Sequence, residues 1–251
     1  GNPGLIEFYK SFLDQIQKKH GNWEILGISH AGMITKCKGL KKPTKVYSLK
    51  DQVEHKVYVI NDFCSSNRPL IIAGHSIGAY IVQKIALDVG LVGTVKRIML
   101  LTPTIIDIHL SEKGRKLNWI NEWCPNFHSY VATASWLVFE KMLPQAITEK
   151  ILSLFVGSEQ TCVREAAKLL VTNYEFVQQS LGLAREEMQK VRDDWNFQLS
   201  FLQFCKSQEV ELQFVFAFKD HWVNSQTRFD LAEFYSSNYY KDFLTIDEDE
   251  K

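Results

Sequence analysis

An α/β protein, with a parallel sheet and a large helical insertion, is what this sequence predicts, on three observations. Short apolar runs of strand length alternate with amphipathic helical stretches, the pattern of strand–helix–strand units. One run passes into a helix through Gly74-His75-Ser76-Ile77-Gly78, a serine set between glycines. Residues 103–211, between the third and fourth apolar runs, have little strand character and many aromatic side chains.

The elements come in this order. After Gly1-Asn2-Pro3-Gly4, the residues Leu5, Ile6, Phe8, Tyr9, Phe12, Leu13 and Ile16 recur at helical spacing up to His20-Gly21, a helix stop. Trp23–Ser29 (WEILGIS) is a first strand by length and composition, and residues 31–47 form a Gly/Lys/Pro-rich loop. Ser48 is the N-cap of a helix through Phe63, with Leu49, Val53, Val57 and Ile60 on one face. Pro69–Gly74 is the second strand and Ile77–Leu87 the helix behind it; Val95–Thr102 is the third strand, ended by Pro103. Residues 212–218 (LQFVFAF) make a fourth, and helical stretches cover 162–181 and 184–206. The sheet is expected to be buried on both faces. The acidic end, Asp247–Lys251, is expected to be disordered.

Composition narrows the class. Of 251 residues 45% are hydrophobic and 23% charged, which suits a globular domain with an ample core. Lys plus Arg and Asp plus Glu both number 29, so no charge excess argues for nucleic acid. The basic run Lys36–Lys45, broken by Gly39 and Pro43, reads as a solvated loop. Five scattered cysteines (Cys37, Cys64, Cys124, Cys162, Cys205) have no metal-ligand spacing and cannot all pair, so a reducing, cytosol-facing environment is expected. No metal or cofactor motif is present, and no apolar run is long enough to span a bilayer.

Gly74–Gly78 fits the G-x-S-x-G nucleophile elbow, with strand before and helix after. The turn forces the serine backbone into strain, and flanking side chains would collide with strand and helix. Ser76 is therefore the candidate nucleophile. The helix that starts at Ile77 brings its backbone N–H and positive dipole end to stabilise an oxyanion. Gly1-Asn2-Pro3-Gly4 before a helix suits the second oxyanion donor, the Asn2 backbone N–H; an ordinary Pro-Gly turn is the competing reading. Asp220, just past the fourth strand, stands where α/β sheets place ligand chemistry and is the candidate acid. Asp107, after the third strand, is the second choice, and Asp62 and Asp88, near helix ends, are weaker. The base should come after the acid in the chain, yet His221 alone does so, and adjacent side chains diverge. His75 flanks the nucleophile, His20 and His55 lie on helices, His30 ends a strand, and His109 and His128 belong to the insertion. No base histidine is identified.

With these residues in place, the chain resembles the lipid droplet-associated hydrolase family of serine α/β-hydrolases. The resemblance rests on GNPG followed by Phe8-Tyr9, on Ile28-Ser29-His30-Ala31-Gly32, on Leu49, Gln52, His55 and Lys56, and on GHSIGAY. Pro103-Thr104-Ile105 and Asp220-His221-Trp222-Val223 also fall where the family has counterparts. It is strong in residues 1–105, loose in the insertion, and covers most of the chain. It implies that Ser76 is the nucleophile and Asp220 the acid, with the base in a downstream His-Ala-Phe motif that has no counterpart here. It also implies a strand before GNPG and a final strand ahead of the base, so the sequence is expected to be a chain cut at both ends.

The domains expected are a hydrolase core over 1–106, an aromatic-rich helical insertion over 107–208, and the rest of the core over 209–251. The function expected is a carboxylic ester hydrolase, weak or incomplete as given. It would act on neutral-lipid esters such as sterol esters, on the cytosolic side of lipid droplets and the endoplasmic reticulum membrane. The alternative is a hydrolase-fold protein that binds droplets without turnover. The apolar stretch Tyr130–Phe139 is too short to cross a membrane. It suits an interface, with Trp119, Trp123 and Trp136 at the boundary between acyl chains and water, or a cover buried on the site.

Overall fold

The computed structural model describes residues 1–34, 45–64, 68–156, 161–239 and 244–249. Cys37 and most of the basic run Lys36–Lys45 lie outside them. The chain divides into two compact units. The first holds Gly1–Asn2, Ser48–Trp123 and Ala184–Lys251; the second holds Pro3–Tyr47 and Cys124–Leu183.

In the second unit a 3₁₀ turn over Ile6–Tyr9 leads into α1 (Lys10–Lys19). Trp23–Ser29, expected as a strand, joins no ladder. Its partners explain the correction. The Ser29 hydroxyl accepts from the Ile6 N–H at 3.0 Å, and His30 N–H donates to the Gly4 carbonyl at 2.7 Å. A Cβ at Gly27 would stand 2.6 Å from the Ile6 side chain, so the segment is spent on packing against the N-terminal turn. The unit closes around Leu5, Met33 and Phe176, with Phe8, Leu169 and Leu170 packed on them.

In the first unit, α2 (Leu49–Phe63) starts as expected at Ser48, whose side chain accepts from Asp51 N–H while the Asp51 carboxylate accepts from Ser48 N–H. This reciprocal cap satisfies two donors that would otherwise be orphaned. Strand β1 (Pro69–His75), helix α3 (Ile77–Ala86) and strand β2 (Thr94–Leu101) come next. Every element described between β2 and the next strand is helical. In this unit they are a 3₁₀ turn (Ile108–Leu110) and α4 (Glu112–Trp123). In the second unit they are α5 (Phe127–Trp136), a π-helical stretch (Leu137–Met142), α6 (Gln145–Val156) and α7 (Thr161–Thr172). Helix α8 (Tyr174–Lys190) begins in the second unit and ends in the first, and α9 (Trp195–Ser207) lies in the first. Then come β3 (Glu211–Ala217), α10 (Ser225–Asn238) and β4 (Leu244–Asp249).

The sheet has the order β1-β2-β3-β4 and every pairing is parallel. His75 stands opposite Leu101, and Leu101 opposite Val215, so the C-terminal ends of β1, β2 and β3 line up along one edge. β4 corrects the expectation of a disordered tail for residues 247–249: Leu244–Asp249 pairs with Leu212–Ala217, and residues 250–251 lie outside the described residues. An acidic composition does not prevent pairing, because a ladder is made by backbone groups, which acidic residues carry like any other. The sheet is not buried on both faces. In β1, Ile72 and Gly74 are buried whereas Ile71 is 44% exposed, the alternation of a strand covered on one side. Ile98, Leu100, Leu212, Phe214 and Phe216 carry the covered face, with the Tyr235 ring tilted against Phe214, centroids 4.6 Å apart.

Candidate active site

Ser76 joins β1 to α3 with φ 53° and ψ −125°, left-handed backbone that costs a non-glycine residue about 1–3 kcal/mol. The end of β2 holds it there. Ser76 N–H donates to the Leu101 carbonyl at 2.9 Å, and the Ser76 carbonyl accepts from Ala79 and Thr104 N–H at 2.9 and 3.4 Å. The need for the glycines is a matter of distance. A Cβ on Gly74 would lie 2.3 Å from the Gly78 oxygen and 2.7 Å from Ala79 N, so β1 and α3 meet backbone to backbone. Ile77 opens α3 and is fully buried; as the first residue of a helix it has no intrahelical acceptor for its N–H.

Asn2 belongs to the same unit as Ser76. A Cβ on Gly78 would stand 3.3 Å from Gly1 N, so the start of GNPG lies against the first turn of α3. The Asn2 side chain donates to Glu187 Oε1 at 3.0 Å.

Asp220 lies just beyond β3, on the aligned edge that also carries Ser76. Its Oδ1 accepts from Trp222 N–H at 2.7 Å and Val223 N–H at 3.2 Å, a turn that fixes the carboxylate to its loop. Burial pushes His75 down to about 4, and the Asp220 carboxylate works the other way. Asp220 is thus within electrostatic reach of the residue that precedes Ser76.

Four of the histidines have other engagements. His221 is exposed, its Nδ1 lies 3.2 Å from Glu112 Oε2, and its carbonyl accepts from Lys113 N–H at 3.2 Å. It therefore turns toward α4. His109 Nδ1 faces Asp107 Oδ1 at 3.7 Å, and burial raises the Asp107 carboxyl. His20 stacks on Trp23, centroids 4.3 Å apart, and the His30 ring occupies the space a Cβ on Gly4 would need. Asp88 closes a turn by accepting from Gly90 N–H at 2.8 Å. Among the described residues, no group of three or more His, Cys, Asp or Glu is arranged to hold a metal ion.

Glu187, the partner of Asn2, belongs to no motif that singles it out in the sequence. One signal does mark it: it sits four residues from both Leu183 and Val191, each fully buried, so a carboxylate occupies the apolar stripe of α8.

Comparisons with known proteins bear on the family and the fold. The family model described as lipid-droplet associated hydrolase matches residues 1–251. Among curated relatives, the rat lipid droplet-associated hydrolase is 30% identical over 170 residues, 61% of this chain and 50% of the relative. The chicken protein of the same name is 25% identical over 202 residues, 76% of this chain and 60% of the relative. The chain spans about half the length of the curated relatives it matches. Among solved structures, a haloalkane dehalogenase from Agrobacterium tumefaciens aligns with a TM-score of 0.66 at 10% identity, over 99% of this chain and 78% of that one. A hydrolase from Pseudomonas aeruginosa aligns at 0.58 and 13%, over 100% and 79%.

Proposed function

Since the chain belongs to the lipid-droplet associated hydrolase family and has the α/β-hydrolase fold, we propose that it is a serine carboxylic ester hydrolase acting on neutral-lipid esters. Ser76 Oγ attacks the ester carbonyl, and the backbone N–H groups of Ile77 and Asn2 receive the negative charge that develops on its oxygen. The alcohol leaves, and water then releases the acyl group from Ser76. Asp220 orients the histidine that takes the Ser76 proton. No histidine of this sequence is assigned that role, and in this fold it comes after the acid in the chain.

The observation that carries the reading is the backbone of Ser76. Strain of that kind, locked by three hydrogen bonds and by Gly74, where any Cβ would overlap the Gly78 backbone, supports a displayed nucleophile. Sterol esters are the substrate we favour, with residence on droplet and endoplasmic reticulum surfaces at their cytosolic side. The names of the relatives support the droplet part of this reading, as do exposed apolar side chains of the second unit: Tyr130, Leu137, Val138, Met142, Leu154 and Phe155. No described helix is long and apolar enough to cross a membrane.

A fluorophosphonate probe on the full-length protein tests the chemistry. Ser76 should be the labelled residue and Ser76→Ala should abolish labelling, whereas equal labelling of the Ala variant removes Ser76 from the role. Turnover of a sterol ester against a triacylglycerol and a short-chain ester then tests the substrate. A second reading, droplet binding without turnover, is favoured by His221, which is bound to Glu112 rather than turned to the nucleophile. A full-length protein that binds droplets but neither labels nor hydrolyses would establish it.

A further inference from the structure

Glu187 is a carboxyl that the chemistry above does not use, yet only 4% of it is exposed. Its neighbour Glu186 has an ordinary duty, accepting from Leu49 N–H at 2.7 Å at the start of α2. Glu187 instead points inward and accepts from the Asn2 side-chain amide at 3.0 Å. Burying a carboxyl is costly, and neither helix capping nor a surface ion pair accounts for this one.

Asn2 is the residue whose orientation matters. A backbone N–H stabilises an oxyanion only if its peptide plane is correctly turned, and a loop leaves that plane free unless something fixes it. Pro3 restricts Asn2 to extended ψ. Gly1, on the other side, imposes no restraint of its own. The amide–carboxyl bond to α8 supplies the missing one, and the contact of Gly1 with the first turn of α3 brings the segment to the elbow.

We propose that Glu187 is a positioning residue that holds Asn2 so that its backbone N–H faces the oxyanion. This rests on the reading of Ser76 as nucleophile and Asn2 as donor. Charge is consistent with it. Burial pushes the Glu187 carboxyl up to about 8, so at neutral pH it is mainly uncharged and sets no anion beside the developing oxyanion. An uncharged acceptor of this shape is also what glutamine provides.

The test uses full-length protein, the rate of Ser76 phosphonylation, and kcat and KM on a short-chain ester. An unlabelled wild type refutes the nucleophile reading itself, and is distinguishable from any result with the Glu187 and Asn2 variants. With labelling in hand, Glu187→Gln should stay within about threefold of wild type, because its carbonyl still accepts from Asn2. Glu187→Leu and Asn2→Ala should each slow phosphonylation and kcat by about tenfold or more, less than the roughly 10²–10³ lost on deleting an oxyanion donor. KM should change by less than about threefold, since the interaction belongs to the transition state. The two changes act on one bond, so the double variant should be no slower than the slower single one. Asn2→Ala leaves α8 intact and decides the matter if Glu187→Leu does not fold. Wild-type rates in Asn2→Ala, or effects that multiply in the double variant, overturn the inference.

Discussion

Replacing Gln198 with leucine should destabilise the protein more than its size suggests, because Gln198 is the hub of a buried network. Gln83 on α3, Gln198 on α9 and Tyr235 on α10 are all 0% exposed. Gln198 Oε1 accepts from Gln83 Nε2 at 2.8 Å and from the Tyr235 hydroxyl at 2.6 Å. Its Nε2 donates to Gln83 Oε1 at 3.3 Å and to the Ile105 carbonyl at 3.4 Å. Leucine fills nearly the same space and removes all four bonds. Gln83 Nε2 keeps the Tyr235 hydroxyl at 3.3 Å, while three groups are left unpaired (Gln83 Oε1, the Tyr235 O–H and the Ile105 carbonyl), each at about 1–3 kcal/mol. Leucine burial returns about 1.5–3 kcal/mol. Taken at the middle of these ranges the expected net loss is about 4 kcal/mol, a fall in Tm of roughly 10 °C at this chain length. Tyr235→Phe is the control: Gln198 Oε1 keeps Gln83 Nε2, so about 1 kcal/mol is lost. Urea unfolding followed by Trp fluorescence gives both values, provided the slope is unchanged. If Gln198→Leu lies within about 1 kcal/mol of wild type, or matches Tyr235→Phe, the network is not a cooperative unit.

Three other outcomes are expected. Asp220→Asn keeps an Oδ1 for the Trp222 and Val223 N–H groups, so Tm should hold while ester turnover falls by about 10⁴; His221→Ala, which breaks only the bond to Glu112, should leave turnover within about threefold, and the reverse pattern would make His221 the base. Glu187→Gln should alter the pH dependence of stability: with the native carboxyl raised to about 8 from 4.5, its contribution is full below 4.5 and is lost as pH rises toward 8. The wild type should thus lose stability relative to Glu187→Gln by up to about 1.4 kcal/mol per unit in that window, and parallel urea midpoints at pH 5 and pH 8 would contradict it. Replacing Trp136, Leu137, Val138 and Phe139 together with polar residues should release a folded protein from droplets, as fractionation can show; unchanged association rejects anchoring by this segment.

The elbow was legible because several local signals coincide on it: an apolar run, two glycines and a helical period meet within a short stretch around Ser76. Ser48 was legible for the same reason, since a cap and its Asp51 lie within one turn. What failed was non-local. Trp23–Ser29 has strand composition, but a strand exists only through a partner, and here the segment packs Gly27 on Ile6, bonds the Ile6 N–H with the Ser29 hydroxyl and is followed by His30 bonded to Gly4. β4 failed in reverse: Asp247 sits in a paired strand because β3 offers it a ladder, whatever its composition suggests. Periodicity puts Glu187 on an apolar stripe but does not name its partner, Asn2, 185 positions away, and Gln198 escaped because its burial depends on Gln83, 115 positions away.

The register of the sheet also carries an order of assembly. β1, α3 and β2 lie within residues 69–101, so the nucleophile turn is built from neighbouring chain. Leu101, by contrast, must find Val215 across the whole helical insertion before Asp220 arrives. Local contacts form faster than distant ones, so the serine side of the site should assemble first and the acid dock onto it later. Pulsed hydrogen exchange would reveal this as early protection of β1 and β2, and simultaneous protection of β3 would exclude it. The same geometry makes the joints of the insertion easy to resize. Doubling the length of a flexible loop costs only about 0.6 kcal/mol in closure entropy. The loops that join the helices between β2 and β3 can therefore lengthen or shorten, while Glu187 and Gln198 hold their partners and Ser76 and Asp220 keep their places at the ends of their strands.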